Sequence, residues 1–181
     1  IFENKYKTRS FLNSFYSKRF SNNNPCIATG AGTDALHIAY ILAGLKYGDE
    51  VIAPVYTCTA TNIPFLYMGV KIKFADVDPT TMNISIESVK KLITSKTKAI
   101  VCTHYGGLPC DMDELQSIAN EWGVPIIEDA AHALGSKYSD GSFVGNCKYS
   151  DATVFSLHPV KIVAAGEGGI ITTNSLKTYK K

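Results

Sequence analysis

The sequence predicts an α/β protein, a three-layer α/β/α arrangement in which a mostly parallel sheet is covered by helices on both faces. Apolar runs of strand length alternate along the chain with stretches of helical period, and prolines fall mostly at the junctions. Polar residues also collect just after the apolar runs, where the ligand crevices of such sheets open.

Taken in order, Asn4 to Arg19 reads as a first helix and Cys26-Ile27-Ala28 as a short strand. Thr29-Gly30-Ala31-Gly32-Thr33-Asp34 then turns the chain into a helix from Asp34 to Ala43, whose apolar positions recur at helical spacing. Val51-Ile52-Ala53 is the next strand, and Thr59 to Met68 the next helix, which Pro64 is expected to kink. Ile72 to Ala75 and Ala99 to Cys102 are strands on either side of a helix from Ile86 to Thr94. Asp111, with Glu114 in the following turn, starts a helix over Met112 to Glu121. Val124 to Ile127 and Thr153 to Phe155 are buried strands, and Gly166-Glu167-Gly168-Gly169 breaks the chain before a last one, Ile170 to Thr173.

With 181 residues, 45% of them hydrophobic, the chain can bury one core, and 18 basic against 16 acidic side chains give no general preference for nucleic acid. No apolar run is long enough to cross a membrane and no signal-peptide pattern appears, so a soluble, cytoplasmic protein without a membrane partner is expected. Cys26, Cys58, Cys102, Cys110 and Cys147 are odd in number and scattered, which predicts reduced thiols. Neither Cys102 with His104 nor the four histidines show a familiar metal spacing, so no metal is assigned. The basic stretches Lys5 to Arg9 and Lys177 to Lys181 read as solvated surface.

Three segments carry chemistry. Lys161 stands between apolar stretches at a strand end, where partial desolvation turns a lysine into a nucleophile toward an aldehyde. The plain alternative is a lysine that reaches from a strand end to water. Gly30 and Gly32 open a helix whose N-terminal N–H groups suit a phosphate, although a glycine turn before a helix is as often only a turn. This turn is no P-loop, and a full dinucleotide fingerprint needs glycine at Ala35. Val124 to Ile127 leads into Glu128, Asp129 and, after two alanines, His132. Asp129 is suited to a protonated ring nitrogen, or to capping a short helical turn for about 1 kcal/mol. Glu128 is expected to be a salt-bridged or solvated carboxylate.

Gly32-Thr33-Asp34-Ala35-Leu36, Glu128-Asp129-Ala130-Ala131-His132 and Phe155 to Lys161 with Gly166-Glu167-Gly168-Gly169 resemble the DegT/DnrJ/EryC1/StrS sugar aminotransferases, in the same order and from Phe2 to Asn174. The resemblance implies a large domain of the fold type I pyridoxal-phosphate enzymes. Residues 1–181 would then be part of that domain, with the family's C-terminal small domain absent from this chain and the fragment alone incomplete for catalysis. Within the family, Cys147 to Lys161 is most similar to the transaminases that make UDP-4-amino-4,6-dideoxy-N-acetyl-altrosamine for pseudaminic acid.

What the resemblance implies for single residues is specific. Lys161 matches the lysine that joins the aldehyde of pyridoxal 5'-phosphate, and Asp129 the carboxylate that keeps its ring nitrogen protonated. Gly32, Thr33, Asp34 and Ser156 match the phosphate cradle. His132 matches a position beside the ring and its phenolic oxygen, and His158 one that shapes the pocket. Cys58 occupies the place where the family usually stacks an aromatic side chain on the ring, a contact worth about 0.5–1.5 kcal/mol beyond burial. Tyr56 is the candidate substitute, and Cys58 itself is expected to be small and buried. The implied reaction is ping-pong amination of a keto group on a nucleotide-linked hexose, with glutamate as donor, in a homodimer whose partner completes the site. Three readings compete. A dehydrating branch of the family carries histidine where Lys161 stands, a nicotinamide-dependent sugar oxidoreductase would use Thr29 to Gly32, and a catalytically silent cofactor-binding protein would tolerate Cys58.

Overall fold

A computed structural model describes residues 10, 13–19 and 21–180. Seven strands form one sheet: β1 (Cys26–Thr29), β2 (Glu50–Pro54), β3 (Lys71–Ala75), β4 (Thr97–Thr103), β5 (Ile126–Asp129), β6 (Ala152–Ser156) and β7 (Gly169–Thr172), in the order β1-β7-β6-β5-β4-β2-β3. Every neighbouring pair is parallel except those made by β7, which runs antiparallel to both β6 and β1. Five helices follow the residues 13–19, which are themselves helical: α1 (Gly32–Leu42), α2 (Thr59–Met68), α3 (Ile86–Leu92), α4 (Met112–Trp122) and α5 (Leu176–Tyr179). Residues 4–9 and 11–12 of the expected first helix, and with them the basic stretch Lys5 to Arg9, lie outside the described residues.

Strand alternation sends successive side chains to opposite faces, and each face has its own core. Val51, Ala53, Val101, Ile127, Val154 and Ile171 pack under Leu36, Ala39 and Tyr40 of α1 and Phe65 of α2. On that side the Tyr40 and Phe65 rings stack with centroids 4.2 Å apart. Ile52, Ile100, Cys102, Ile126, Phe155 and Ile170 face the other way, against Val89 of α3 and Leu115, Ile118 and Ala119 of α4. Each Val, Leu, Ile or Phe side chain among them contributes about 1.5–3 kcal/mol by leaving water. The three-layer expectation therefore holds, with mixed pairing confined to β7.

Local chemistry sets the boundaries. Asp111 accepts from the Glu114 N–H to start α4, and Gly123 ends it in the left-handed region at φ 64°. Helix α1 begins two residues before the expected Asp34, because Ala31 is extended and Gly32 already helical. Helix α3 stops at Leu92 rather than Thr94, since Ile93 is extended and Thr97 Oγ1 accepts the Thr94 N–H. Pro64 does not break α2, which runs as one element from Thr59 to Met68 with the proline ring buried. Strand β5 lies later than expected, because Pro125 has no N–H to give the ladder, and both carboxylates stand inside the strand.

Candidate active site

Strands β1, β2, β4, β5 and β6 end on one edge of the sheet, and the segments leaving that edge bring the chemistry together. Register fixes the alignment: Asp129 pairs with Thr103 on one side and Val154 on the other. The Asp129 side chain is buried on the α1/α2 face, where Oδ2 accepts from Thr61 Oγ1 at 2.6 Å and Oδ1 from the Ala131 N–H at 3.0 Å. Thr61 Oγ1 in turn meets Thr57 Oγ1 at 2.8 Å, and Thr57 meets Thr103 Oγ1 at 3.0 Å. Tyr40 braces this chain by donating to the Thr61 carbonyl at 2.9 Å. The carboxylate is thus clamped from two directions. The bond to Ala131 is the turn-capping contact foreseen for this residue, and Oδ2 is held by Thr61.

Lys161 leaves β6 through the turn closed by its own N–H on the His158 carbonyl, at 2.9 Å. Its Nζ lies 3.0 Å from His132 Nε2. His132 is held below its ordinary pKa, first by burial and then by the positive charge of Lys161, against the pull of Asp129. The imidazole is therefore neutral near pH 7, with Nε2 accepting from the lysine amine. Lysine, histidine and carboxylate from two different segments form one group. His158 turns toward Glu167, with Nε2 3.8 Å from Oε1, at the exposed rim of the loop.

A cradle lies beside this group. Helix α1 starts without a side-chain cap, so the N–H groups of its first turn are free to meet an anion. A Cβ added at Gly32 would come within 2.8 Å of Ser156 Cβ, which places the helix start directly against that serine. The glycine keeps this space open, and Thr33, Asp34 and Ser156 border it. Gly32→Ala is expected to overpack the contact by about 1–3 kcal/mol. Fluorescence titration with pyridoxal phosphate should show at least tenfold weaker binding alongside a lower melting temperature.

Cys58 is exposed at the N-terminus of α2, which corrects the expectation of a small buried residue. It caps a helix that starts at the open edge of the sheet, where no layer covers it. The aromatic surface comes from elsewhere. The Tyr56 hydroxyl meets that of Tyr105 at 3.1 Å, and the Tyr105 ring stands edge-on to His132 with centroids 5.9 Å apart. Tyr105, Thr57, Thr61 and Thr103 were not singled out by sequence reasoning. The available signal was the Thr57/Thr61 spacing of one helical turn at a helix start, together with Thr103 at a strand end level with Asp129.

Glu128, next to Asp129, points to the opposite face and is fully buried, which corrects the solvated half of the expectation for it. Its oxygens accept from Tyr138 Oη at 2.6 Å, Thr153 Oγ1 at 2.9 Å, the Ser150 hydroxyl, and His104 Nε2 at 2.6 Å. The Cys110 N–H points at His104 Nδ1 from 3.1 Å, which assigns the imidazole proton to Nε2 as donor. Burial pushes the Glu128 carboxyl upward, but the donors led by His104 outweigh it and the net shift is downward.

The profile of the DegT/DnrJ/EryC1/StrS aminotransferase family matches residues 5–181. GDP-perosamine synthase of Escherichia coli O157:H7 is 37% identical over 174 residues, covering 95% of this chain and 47% of that protein. NtdA from Bacillus subtilis, solved with bound cofactor PMP, superposes with a TM-score of 0.82 at 32% identity, over 97% of this chain and 38% of that one. Helicobacter pylori PseC, an aminotransferase involved in the biosynthesis of pseudoaminic acid, gives 0.86 at 28% identity, over 95% and 46%. The chain thus spans less than half the length of each of these proteins. With the lysine segment, the EDAAH strand end and the glycine cradle meeting at one sheet edge, the chain belongs to the DegT/DnrJ/EryC1/StrS aminotransferase family.

Proposed function

We propose that this chain is the cofactor-binding part of a pyridoxal-phosphate-dependent sugar aminotransferase. The observation that carries the reading is Lys161 Nζ 3.0 Å from a neutral His132, beside the clamped carboxylate of Asp129. The group fits: the first turn of α1 with Ser156 would hold its phosphate, Asp129 its ring nitrogen and Lys161 its aldehyde carbon. Bound there, pyridoxal phosphate supplies an electrophilic carbon and a ring that accepts electrons.

The residues have separable tasks. Lys161 removes the proton from the α-carbon of the amino donor and later delivers one to the aminated sugar carbon. His132 accepts a hydrogen bond from the lysine amine and so fixes its direction. Asp129, with Thr61 holding one oxygen, keeps a proton on the ring nitrogen. Tyr105 and Tyr56 provide the aromatic wall on the side where Cys58 offers none.

The acceptor we propose is a UDP-linked 4-keto-6-deoxy-N-acetylhexosamine, with glutamate as donor and a role in surface-glycan or nonulosonic acid biosynthesis. Similarity of the Cys147 to Lys161 segment to the pseudaminic acid transaminases supports this, as does the fold shared with PseC. A cytoplasmic homodimer is part of the proposal, supported by Val160, Ile162 and Val163, exposed on the lysine loop itself and suited to cover by a partner. Among the described residues no helix is long and apolar enough to cross a membrane. Competing UDP- and GDP-linked 4-keto sugars in one assay of the whole enzyme that carries this part tests the acceptor. At least tenfold faster amination of the UDP-linked sugar is expected, and a preference for the GDP-linked one would overturn it.

A further inference from the structure

The α3/α4 face of the sheet, opposite the Asp129 carboxylate, carries a second cluster that transamination does not use. Cys102 and His104 come from β4 and its end, and Cys110 from the loop before α4. One ligand atom from each lies within 4.8 Å of the other two, and all three side chains are buried. We infer that Cys102, His104 and Cys110 bind one thiophilic divalent ion of tetrahedral preference, Zn2+ in the first instance.

The donor set is two sulfurs and one imidazole nitrogen, the combination that favours zinc over the hard oxygen-seeking cations. Bonds of about 2.3 Å to sulfur and 2.0 Å to nitrogen set tetrahedral ligand atoms roughly 3.5–3.8 Å apart, so the cluster has to close by about 1 Å. His104 is already oriented as a ligand. Its Nε2–H donates to the buried Glu128 carboxylate at 2.6 Å, the support that metal-binding histidines commonly have, and this leaves Nδ1 on the side of Cys110. The ion would replace the Cys110 N–H at Nδ1. The Cys110 thiol now donates to the Thr103 carbonyl at 3.2 Å, a bond given up with its proton. Met112 Sδ lies 3.8 Å from Cys102 Sγ, at the edge of the cluster.

Access and the surrounding charge agree with this. Cys110 and Met112 line a cleft of about 850 Å³ beside α4. Asp78, Glu87, Asp111 and Asp113 border that cleft with a single lysine, Lys137, so its mouth favours a cation over an anion. The cleft is the entry path a buried site requires.

Titration of the reduced, metal-free protein with Co2+, followed by Zn2+, tests the site. One Co2+ per chain is expected, with sulfur-to-cobalt charge-transfer bands and the strong visible bands of a tetrahedral centre, all removed by Zn2+. Zn2+ should also shield Cys110 from alkylation and leave the exposed Cys58 reacting as before. Cys110→Ser should weaken binding at least tenfold, and Glu128→Gln by roughly 10–100-fold. Cobalt spectra without sulfur bands, or alkylation of Cys110 unaffected by Zn2+, would overturn the proposal on the unsubstituted protein alone. Equal sulfur bands in folded Cys110→Ser and Cys102→Ser proteins would do the same. The outcome is independent of sugar amination, because pyridoxal phosphate enters none of these readouts.

Discussion

Replacing Lys161 with alanine should erase the visible absorption that pyridoxal phosphate develops on the unsubstituted chain, along with the covalent adduct left by borohydride. On the proposed assignment the amine that makes the adduct also moves the proton, so amination should fall by at least about 10²–10⁴-fold. Geometry favours this lysine among the described residues. Lys161 Nζ is in contact with His132, a residue of the Asp129 turn, whereas Lys148 is engaged with Asp140 and Lys73 with Glu50. His132 and Asp129 remain in the variant, and so does the cradle of Gly32 and Ser156. Cofactor should therefore still bind, more weakly and without the band. Peptide mapping after borohydride reduction locates the adduct, and a tag on any peptide other than the one holding Lys161 would reject the assignment.

Glu128→Ala should cost more stability than Gly32→Ala, about 3–5 kcal/mol, the usual penalty for deleting one partner of a buried charged network. The substitution leaves four donors without an acceptor: His104 Nε2, Tyr138 Oη, Ser150 Oγ and Thr153 Oγ1. For a domain of this size that is a fall of roughly 6–20 °C in melting temperature. The pH dependence follows from the downward shift of the carboxyl in the folded state. A depressed folded pKa means the unfolded chain binds the proton more readily. The stabilisation is therefore whole above the unfolded value of about 4.3 and drains away as pH falls through the folded one. Glu128→Gln should flatten that acid limb relative to the unsubstituted protein, and equal acid dependence of the two would remove Glu128 from the account.

Much of the architecture was legible because period and punctuation agreed. Pro54, Pro79, Pro109 and Pro125 fall at element boundaries, and Asp111 with Glu114 marks the start of α4 where the structure has it. Segments holding Lys161, Asp129 and Gly32 were readable as motifs, because each needs a rare residue type beside a strand end. What escaped was set by tertiary contact. Nothing local says that Glu128 is sealed in, since its donors come from residues 104, 138, 150 and 153, and a carboxylate in sequence looks alike whether wet or dry. Cys58 failed in the opposite direction: a thiol among threonines reads as core, yet the sheet edge leaves it uncovered. The Thr103–Thr57–Thr61 chain depends on three segments converging, and the Cys102–His104–Cys110 cluster on a loop folding back over a strand. Pro64 lies inside α2 at the cost of one backbone bond, which a proline in a helix always forgoes.

Strand β7 lies between β6 and β1, and its first residue, Gly169, sits where any Cβ would come within 2.3 Å of the Ala31 carbonyl oxygen. The same strand therefore anchors both the loop bearing Lys161 and the turn leading into α1. Amine and anion cradle are stitched to one ribbon, and their separation cannot drift independently. On the proposed assignment the two act as a gauge of fixed span: a phosphorylated aldehyde of matching length should engage both ends, and one whose phosphate arm is longer or shorter should forfeit one of them.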